Sequence, residues 1–246
     1  MNSMQQEPAT ATLNSSAKMT TATTPAGLWD LPALYLEVLA RTEGLHFIVG
    51  PKLSGKTTAL KQILFHIATN KKIVSIKDSS SWEPQINLSQ ADIIVMDHTN
   101  LHLFDRALEF AEMGYKVIVT LPFMNMQMGL ERYLDLCGGN REIQQRRLSH
   151  VLKSCLGLRL MPGIESSIQG AFELMMATEG IRENLKAGNM NEIQNIVQSS
   201  GDRTGMRSMN QALLQLLIKR KIEWKVGFEM SPEPEALDGL LKKIGI

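Results

Sequence analysis

From Leu45 onward, short unbroken apolar runs alternate with stretches whose apolar residues recur every three or four positions. LHFIV (45–49), KKIVSIKD (71–78), ADIIVMD (91–97) and YKVIVTLP (115–122) are runs of the first kind and predict four strands. Between them, TALKQILFHIA sets Leu60, Ile63, Leu64 and Ile67 on one helical face, and LFDRALEFAEMG does the same with Phe104, Ala107, Leu108 and Ala111. A strand without polar alternation has no solvent face. The pattern therefore predicts an α/β fold whose parallel sheet is covered by helices on both sides.

Outside this region the pattern changes twice. Residues 1–27 are mostly Ala, Ser, Thr and Gln, which bury too little to offset ordering entropy, so a disordered tail is expected before a helix that begins near Leu31. Beyond Pro122 the reading turns helical: MGLERYLDL and REIQQRRLSHVLKS are expected helices, and CLGLRLMP and SSIQGAFELM a strand pair. NQALLQLLIKRK and PEPEALDGLLKK close the chain as helices. The expected organisation is a tail over 1–27, an α/β core over 28–160 and a mostly helical C-terminal subdomain over 161–246. No fixed-period repeat is present.

Charge and composition narrow the function classes. With 26 basic against 25 acidic residues the net charge is +1, without the basic excess expected of a protein that grips a nucleic-acid backbone. Cys137 and Cys155 form neither a metal spacing nor a disulfide framework, which fits a reducing cytoplasm. No apolar run approaches the roughly 18 residues of a membrane span, and the start lacks a signal-peptide core. A cytoplasmic protein is expected, unless a partner holds it at a membrane.

The strongest chemical signal is GPKLSGKTT: Gly50, Pro51, Lys52, Leu53, Ser54, Gly55, Lys56, Thr57 and Thr58. Strand, glycine-bounded loop, Lys-Thr and helix follow in the order of a phosphate-binding loop. Glycines let main-chain N–H groups wrap phosphates, the helix N-terminus adds its positive dipole end, Lys56 reaches the β- and γ-phosphates, and Thr57 offers a hydroxyl to Mg²⁺. A turn that merely joined strand to helix would need neither the lysine nor the threonine. ATP and Mg²⁺ are the expected ligands. Asp97, at the end of ADIIVMD, is the second magnesium candidate, although it could equally cap the helix that follows. Asp78 ends the strand VSIKD, and ligands of open α/β sheets lie outside such strand ends.

From about Leu31 to its end the chain resembles the bacterial type II/IV secretion ATPase superfamily, and within it the type IV pilus retraction (PilT-like) group. LPALYLEVLARTEGLHFIVGPKLSGKTT is similar to the family's approach to its phosphate loop. More specific are RLSHVLKSCLGLRLMP, AFELMMATEGIRENLKAGNMNEIQNIVQSS and GMRSMNQALLQLLIKRKI, which follow the family's C-terminal half almost without gaps. Ile181, Arg182 and Gly188 fall on the retraction signature AIRNLIREG, and Glu131, Arg132 and Asp135 match a further motif. The resemblance implies a RecA-like P-loop NTPase, a homo-oligomeric (hexameric) ring and coupling to inner-membrane pilus or secretion platform proteins.

Departures from the family pattern bear on catalysis. Where the family has IEDPIE, this chain has IKDSSSW: Asp78 remains, Ser81 replaces the glutamate that acts on the attacking water, and Glu83 is the substitute a folded-back loop would supply. Asp97 stands for a longer glutamate in MDHTNLHL, and Pro122 for the histidine of the family's TLHTTSA in TLPFMNM. The segment between IKDSSSW and MDHTNLHL is shorter than in the family. The resemblance begins near Leu31, so no counterpart is expected here of the family's N-terminal PAS-like domain, which would bring arginines to the neighbouring subunit's nucleotide. A lost general base costs about 10²–10⁴ in rate and a lost arginine finger about 10³–10⁵, while neither abolishes binding. Two readings follow: an ATPase motor of weak activity with catalytic groups Asp78, Glu83 and Asp97, or a non-catalytic subunit that uses ATP as a conformational ligand or joins a mixed ring with a paralogue. A small-molecule kinase shares the loop but not the C-terminal resemblance.

Remaining features read plainly. His98 and His102, spaced i, i+4 beside Asp97, have a metal-like spacing but no third ligand. Met124, Met126 and Met128 suit core or subunit-contact packing. Arg146, Arg147 and Lys153, and later Lys219, Arg220, Lys221 and Lys225, suit solvated helix faces or docking to a platform protein.

Overall fold

The computed structural model describes residues 30–76, 90–97, 104–200 and 204–245. The expected tail, Asp78, Glu83, His98 and His102 lie outside the described residues. Strands β1 (Gly44–Val49), β2 (Ile73–Ile76), β3 (Ile93–Asp97), β4 (Lys116–Leu121), β5 (Leu152–Pro162) and β6 (Ile168–Met176) form one sheet in the order β2-β3-β4-β1-β5-β6. The first five run parallel, and β6 pairs antiparallel with β5. The sheet is thus mostly parallel, as the unbroken apolar runs require, and closed at one edge by the expected strand pair.

Both faces of β1 and β4 are buried at every position. On one face Ile48, Ile93, Val95 and Ile118 meet α1 (Ala33–Arg41) and α2 (Lys56–Ile67) through Tyr35, Leu39, Ala59, Ile63 and Ile67. The opposite face, with Phe47, Val49, Ile94 and Val119, is covered by α3 (Phe104–Glu112), α4 (Met126–Leu136) and α5 (Arg141–Val151), together with α6 (Glu179–Ala187) and α7 (Met190–Ser199). All four apolar residues assigned to the inner face of α3 are buried there. A further apolar cluster joins α8 (Met209–Ile218) and α10 (Pro234–Lys243) to Met161 and Ala171 of the outer strands, with α9 (Trp224–Met230) beside them. This is the helical C-terminal region. Among the described residues no helix is long and apolar enough to cross a membrane.

One boundary differs from expectation. REIQQRRLSHVLKS reads as a single helix, but α5 stops at Val151, and Leu152 and Ser154 pair with Leu45 and His46 in β1. No glycine or proline marks this junction, so periodicity alone carries the helix three residues too far. The sequence boundary at 160/161 falls within β5.

Candidate phosphate-binding site

β1 leads directly into the loop. The main-chain N–H of Gly50 donates to the Leu121 carbonyl at 3.0 Å, which ties the loop's first residue to the end of β4. Ser54 N–H donates to the Pro51 carbonyl at 3.2 Å, closing a tight turn. Leu53 at its tip has φ +65° and is exposed, and Gly55 has φ +85°, a left-handed conformation that glycine adopts without steric cost. α2 begins at the next residue, so Lys56 and Thr57 form its first turn, where main-chain N–H groups lack intrahelical acceptors.

The Lys56 ammonium donates to the carbonyls of Gly50 and Pro51 at 2.7 and 2.8 Å, spanning the mouth of its own loop. Ser54 is buried beneath it, and its hydroxyl finds no hydrogen-bond partner among the described residues. Gly50 is what lets Ser54 fit: a Cβ there would lie 2.2 Å from Ser54 Oγ and 2.8 Å from the Leu158 carbonyl oxygen. Lys52, Thr57 and Thr58 are exposed around the rim, and no acid lies in the first turn of α2 to oppose an anion. This glycine-lined cradle, with a cation at its mouth, a rim hydroxyl and a helix N-terminus, suits a phosphate chain.

Asp97 is the last residue of β3, in register with Thr120 of β4, while Leu121 is in register with Val49. Its backbone therefore sits on the same carboxyl edge as the loop, two strands away. At this edge β4 runs through Pro122 and Phe123 to Asn125, whose side chain accepts from the N–H of Met128 and caps α4. Met126 is buried, whereas Met124 and Met128 face outward. The three alternating methionines are thus divided between core and surface. Among the described residues no cluster of three or more His, Cys, Asp or Glu could hold a metal ion.

Two charged residues behind this corner, the buried Glu173 and the half-buried Arg159, escaped the sequence reading. Glu173 on β6 reaches across to accept the N–H of Met126 at 2.7 Å. Burial pushes its carboxyl above the usual range, opposed by that hydrogen bond and by the Arg159 guanidinium. Arg159 on β5 donates to the Met230 carbonyl at 2.7 Å, joining the sheet to α9. An acid within the apolar run AFELMM was the available signal.

No family model matches the chain. It is 24% identical over 220 residues to the type IV pilus retraction ATPase PilT of Pseudomonas aeruginosa, covering 78% of this chain and 64% of that protein. With a twitching motility protein of Neisseria gonorrhoeae the identity is 23% over 215 residues, covering 76% and 57%. The chain therefore spans less than two thirds of the length of these relatives. In fold it is similar to the pilus retraction motor PilT solved with bound ADP, with a TM-score of 0.73 and 24% identity over 85% of this chain and 67% of that one. The DotB ATPase of Legionella pneumophila follows with a TM-score of 0.66 and 20% identity over 82% and 63%. In sequence the chain is thus similar to pilus retraction and twitching motility proteins, and in fold to the ATPases PilT and DotB.

Proposed function

We propose that this chain is an ATP-binding P-loop protein of the pilus-retraction type, which couples nucleotide binding and slow hydrolysis to a pilus or secretion machine. The observation that carries the reading is the 50–57 cradle, set between β1 and α2 of a fold shared with a retraction motor solved with ADP. Loop N–H groups and the α2 N-terminus receive phosphate oxygens, and Lys56 trades its two loop carbonyls for them. Thr57 and Asp97 would hold magnesium, which neutralises charge on the terminal phosphates. Asp78 orders or polarises water, and Glu83 takes the place of the glutamate absent at Ser81. Pro122 offers no side-chain donor or acceptor at the β4 corner, so turnover is slow. The protein works in the cytoplasm as a homo-oligomeric ring, hexameric by resemblance, or in a mixed ring with a paralogue, against inner-membrane platform proteins.

The test is binding of a fluorescent ATP analogue with Mg²⁺, together with steady-state phosphate release, for wild type and Lys56→Ala. The expected result is Mg²⁺-dependent binding that weakens at least about tenfold in the variant, equivalent to about 1.4 kcal/mol, and a slow turnover that disappears with Lys56. Equal binding by both proteins overturns the site. Wild-type binding without any Lys56-dependent turnover overturns the motor reading and leaves a nucleotide-sensing subunit.

A further inference from the structure

Away from the phosphate loop, the tip of the β5–β6 hairpin and the turn between α8 and α9 enclose a groove of about 780 Å³. Its floor is Leu217 and Ile222, both buried, and its walls are Ile164, Ile218 and Trp224, of which Trp224 is 48% exposed. Ile168, 64% exposed, extends the apolar surface along the hairpin. A monomer gains nothing by leaving several large apolar side chains together in water.

The backbone around the groove is held in costly conformations. Glu165 and Ser166 at the hairpin tip have φ of +60° and +59°, and Arg220 beyond α8 has φ +51°. Glycine or asparagine would take these positions cheaply, whereas other L-residues cost roughly 1–2 kcal/mol each. Arg220 is the left-handed residue of a Schellman turn in which Lys221 N–H donates to the Leu216 carbonyl at 2.8 Å. The Lys221 carbonyl in turn accepts the N–H of Ile164 at 3.0 Å. One strained turn is thereby bonded to the other, and this fixes the width of the groove between them.

The rim is cationic. Arg220 and Lys225 line the groove together with one acid, Glu223, and their sequence neighbours Lys219 and Lys221 are exposed, on a chain whose total net charge is only +1. Glu229 lies 3.9 Å from Lys225. A concave apolar floor inside a basic rim complements a helix with an apolar stripe flanked by carboxylates. A bilayer would be met by the exposed Trp224, Ile218 and Ile168 alone, whereas the recessed floor of Leu217 and Ile222 between them suits a seated helix.

We propose that this groove binds an acidic, amphipathic helical segment of a partner protein. The proposal is independent of whether nucleotide is bound or hydrolysed. The probe is a labelled peptide of about five helical turns with leucine at i, i+3, i+4 and i+7 and glutamate elsewhere, titrated with the full chain and followed by anisotropy. A peptide with lysine in place of glutamate and phosphatidylcholine–phosphatidylserine vesicles serve as controls. The glutamate peptide is expected to bind, with affinity that falls at least about tenfold in Trp224→Ala and in the exposed double variant Lys221→Glu/Lys225→Glu, whose circular dichroism stays that of wild type. No binding of the glutamate peptide, equal binding of the lysine peptide, wild-type affinity in the double variant, or capture by vesicles without capture by peptide would each overturn it.

Discussion

The guanidinium of Arg182 donates to the main-chain carbonyls of Ser149 and His150, both at 3.0 Å, and its Nε donates to Ala177 at 3.0 Å. One side chain from α6 thus satisfies the last turn of α5, where carbonyls have no intrahelical donors, and also fixes the approach from β6. Ile181 beside it is fully buried in the main core. In this chain the signature residues Ile181 and Arg182 therefore act as a clamp between helices. The clamp sits where β5 begins, at the amino edge of the parallel strands, opposite the phosphate loop. Arg182→Ala is expected to lower unfolding free energy by about 1–3 kcal/mol in urea denaturation, with ATP affinity unchanged. A changed affinity at unchanged stability would contradict the clamp.

Gly50 carries the opposite expectation. Its missing Cβ leaves room for Ser54 Oγ and for the carbonyl of Leu158, and the second obstacle is backbone, which cannot rotate aside. Gly50→Ala should displace the loop and weaken ATP binding at least about tenfold, while overpacking costs about 1–3 kcal/mol of stability and leaves the chain folded. Affinity equal to wild type would show that the loop does not bind nucleotide in this conformation.

Much of this architecture was legible because its signals are local. Four strands and the inner face of α3 follow from period alone, and the phosphate loop is a contiguous motif between a strand and a helix. What stayed hidden depends on partners distant in sequence. Arg182 matches a family signature, yet its acceptors on α5 lie more than thirty residues earlier. Lys116 and His46 read as ordinary polar positions at strand starts, yet both are fully buried. Strand endings were well placed for Asp97, since an apolar run that stops at a carboxylate marks its own boundary.

His46 makes stability depend on pH. Its Nδ1 lies 2.9 Å from Ser154 Oγ in the core, and burial, with Lys116 and Lys153 nearby, lowers its pKa from 6.5 to about 3. The unfolded chain takes up a proton near pH 6.5 that the folded chain refuses until about pH 3. The contribution of His46 is therefore present above pH 6.5 and is lost as pH falls from there toward 3, at up to about 1.4 kcal/mol per pH unit. Urea midpoints measured between pH 7 and 5 should fall in wild type and fall less steeply in His46→Gln, whatever the absolute stability of the variant. Parallel profiles would remove His46 as the source.

Glu173 and Arg159 allow a graded test of the hidden charge pair. The carboxylate of Glu173 accepts the first N–H of α4 from Met126 and lies in the field of Arg159, whose own guanidinium holds the Met230 carbonyl. Glu173→Ala leaves the buried Met126 N–H without its acceptor and Arg159 without its counter-charge, a loss of about 1–3 kcal/mol. Glu173→Gln keeps an oxygen for Met126 and, like the protonated acid, carries no charge, so it should be more stable than alanine. Because burial raises the carboxyl pKa, the glutamate is most favourable to the fold when protonated, and the advantage of wild type over glutamine should shrink as pH rises. Denaturation of the three proteins at pH 5.5 and 8 decides the matter. A glutamine variant as unstable as alanine would mean that the charge facing Arg159, rather than the cap on Met126, is what the fold requires.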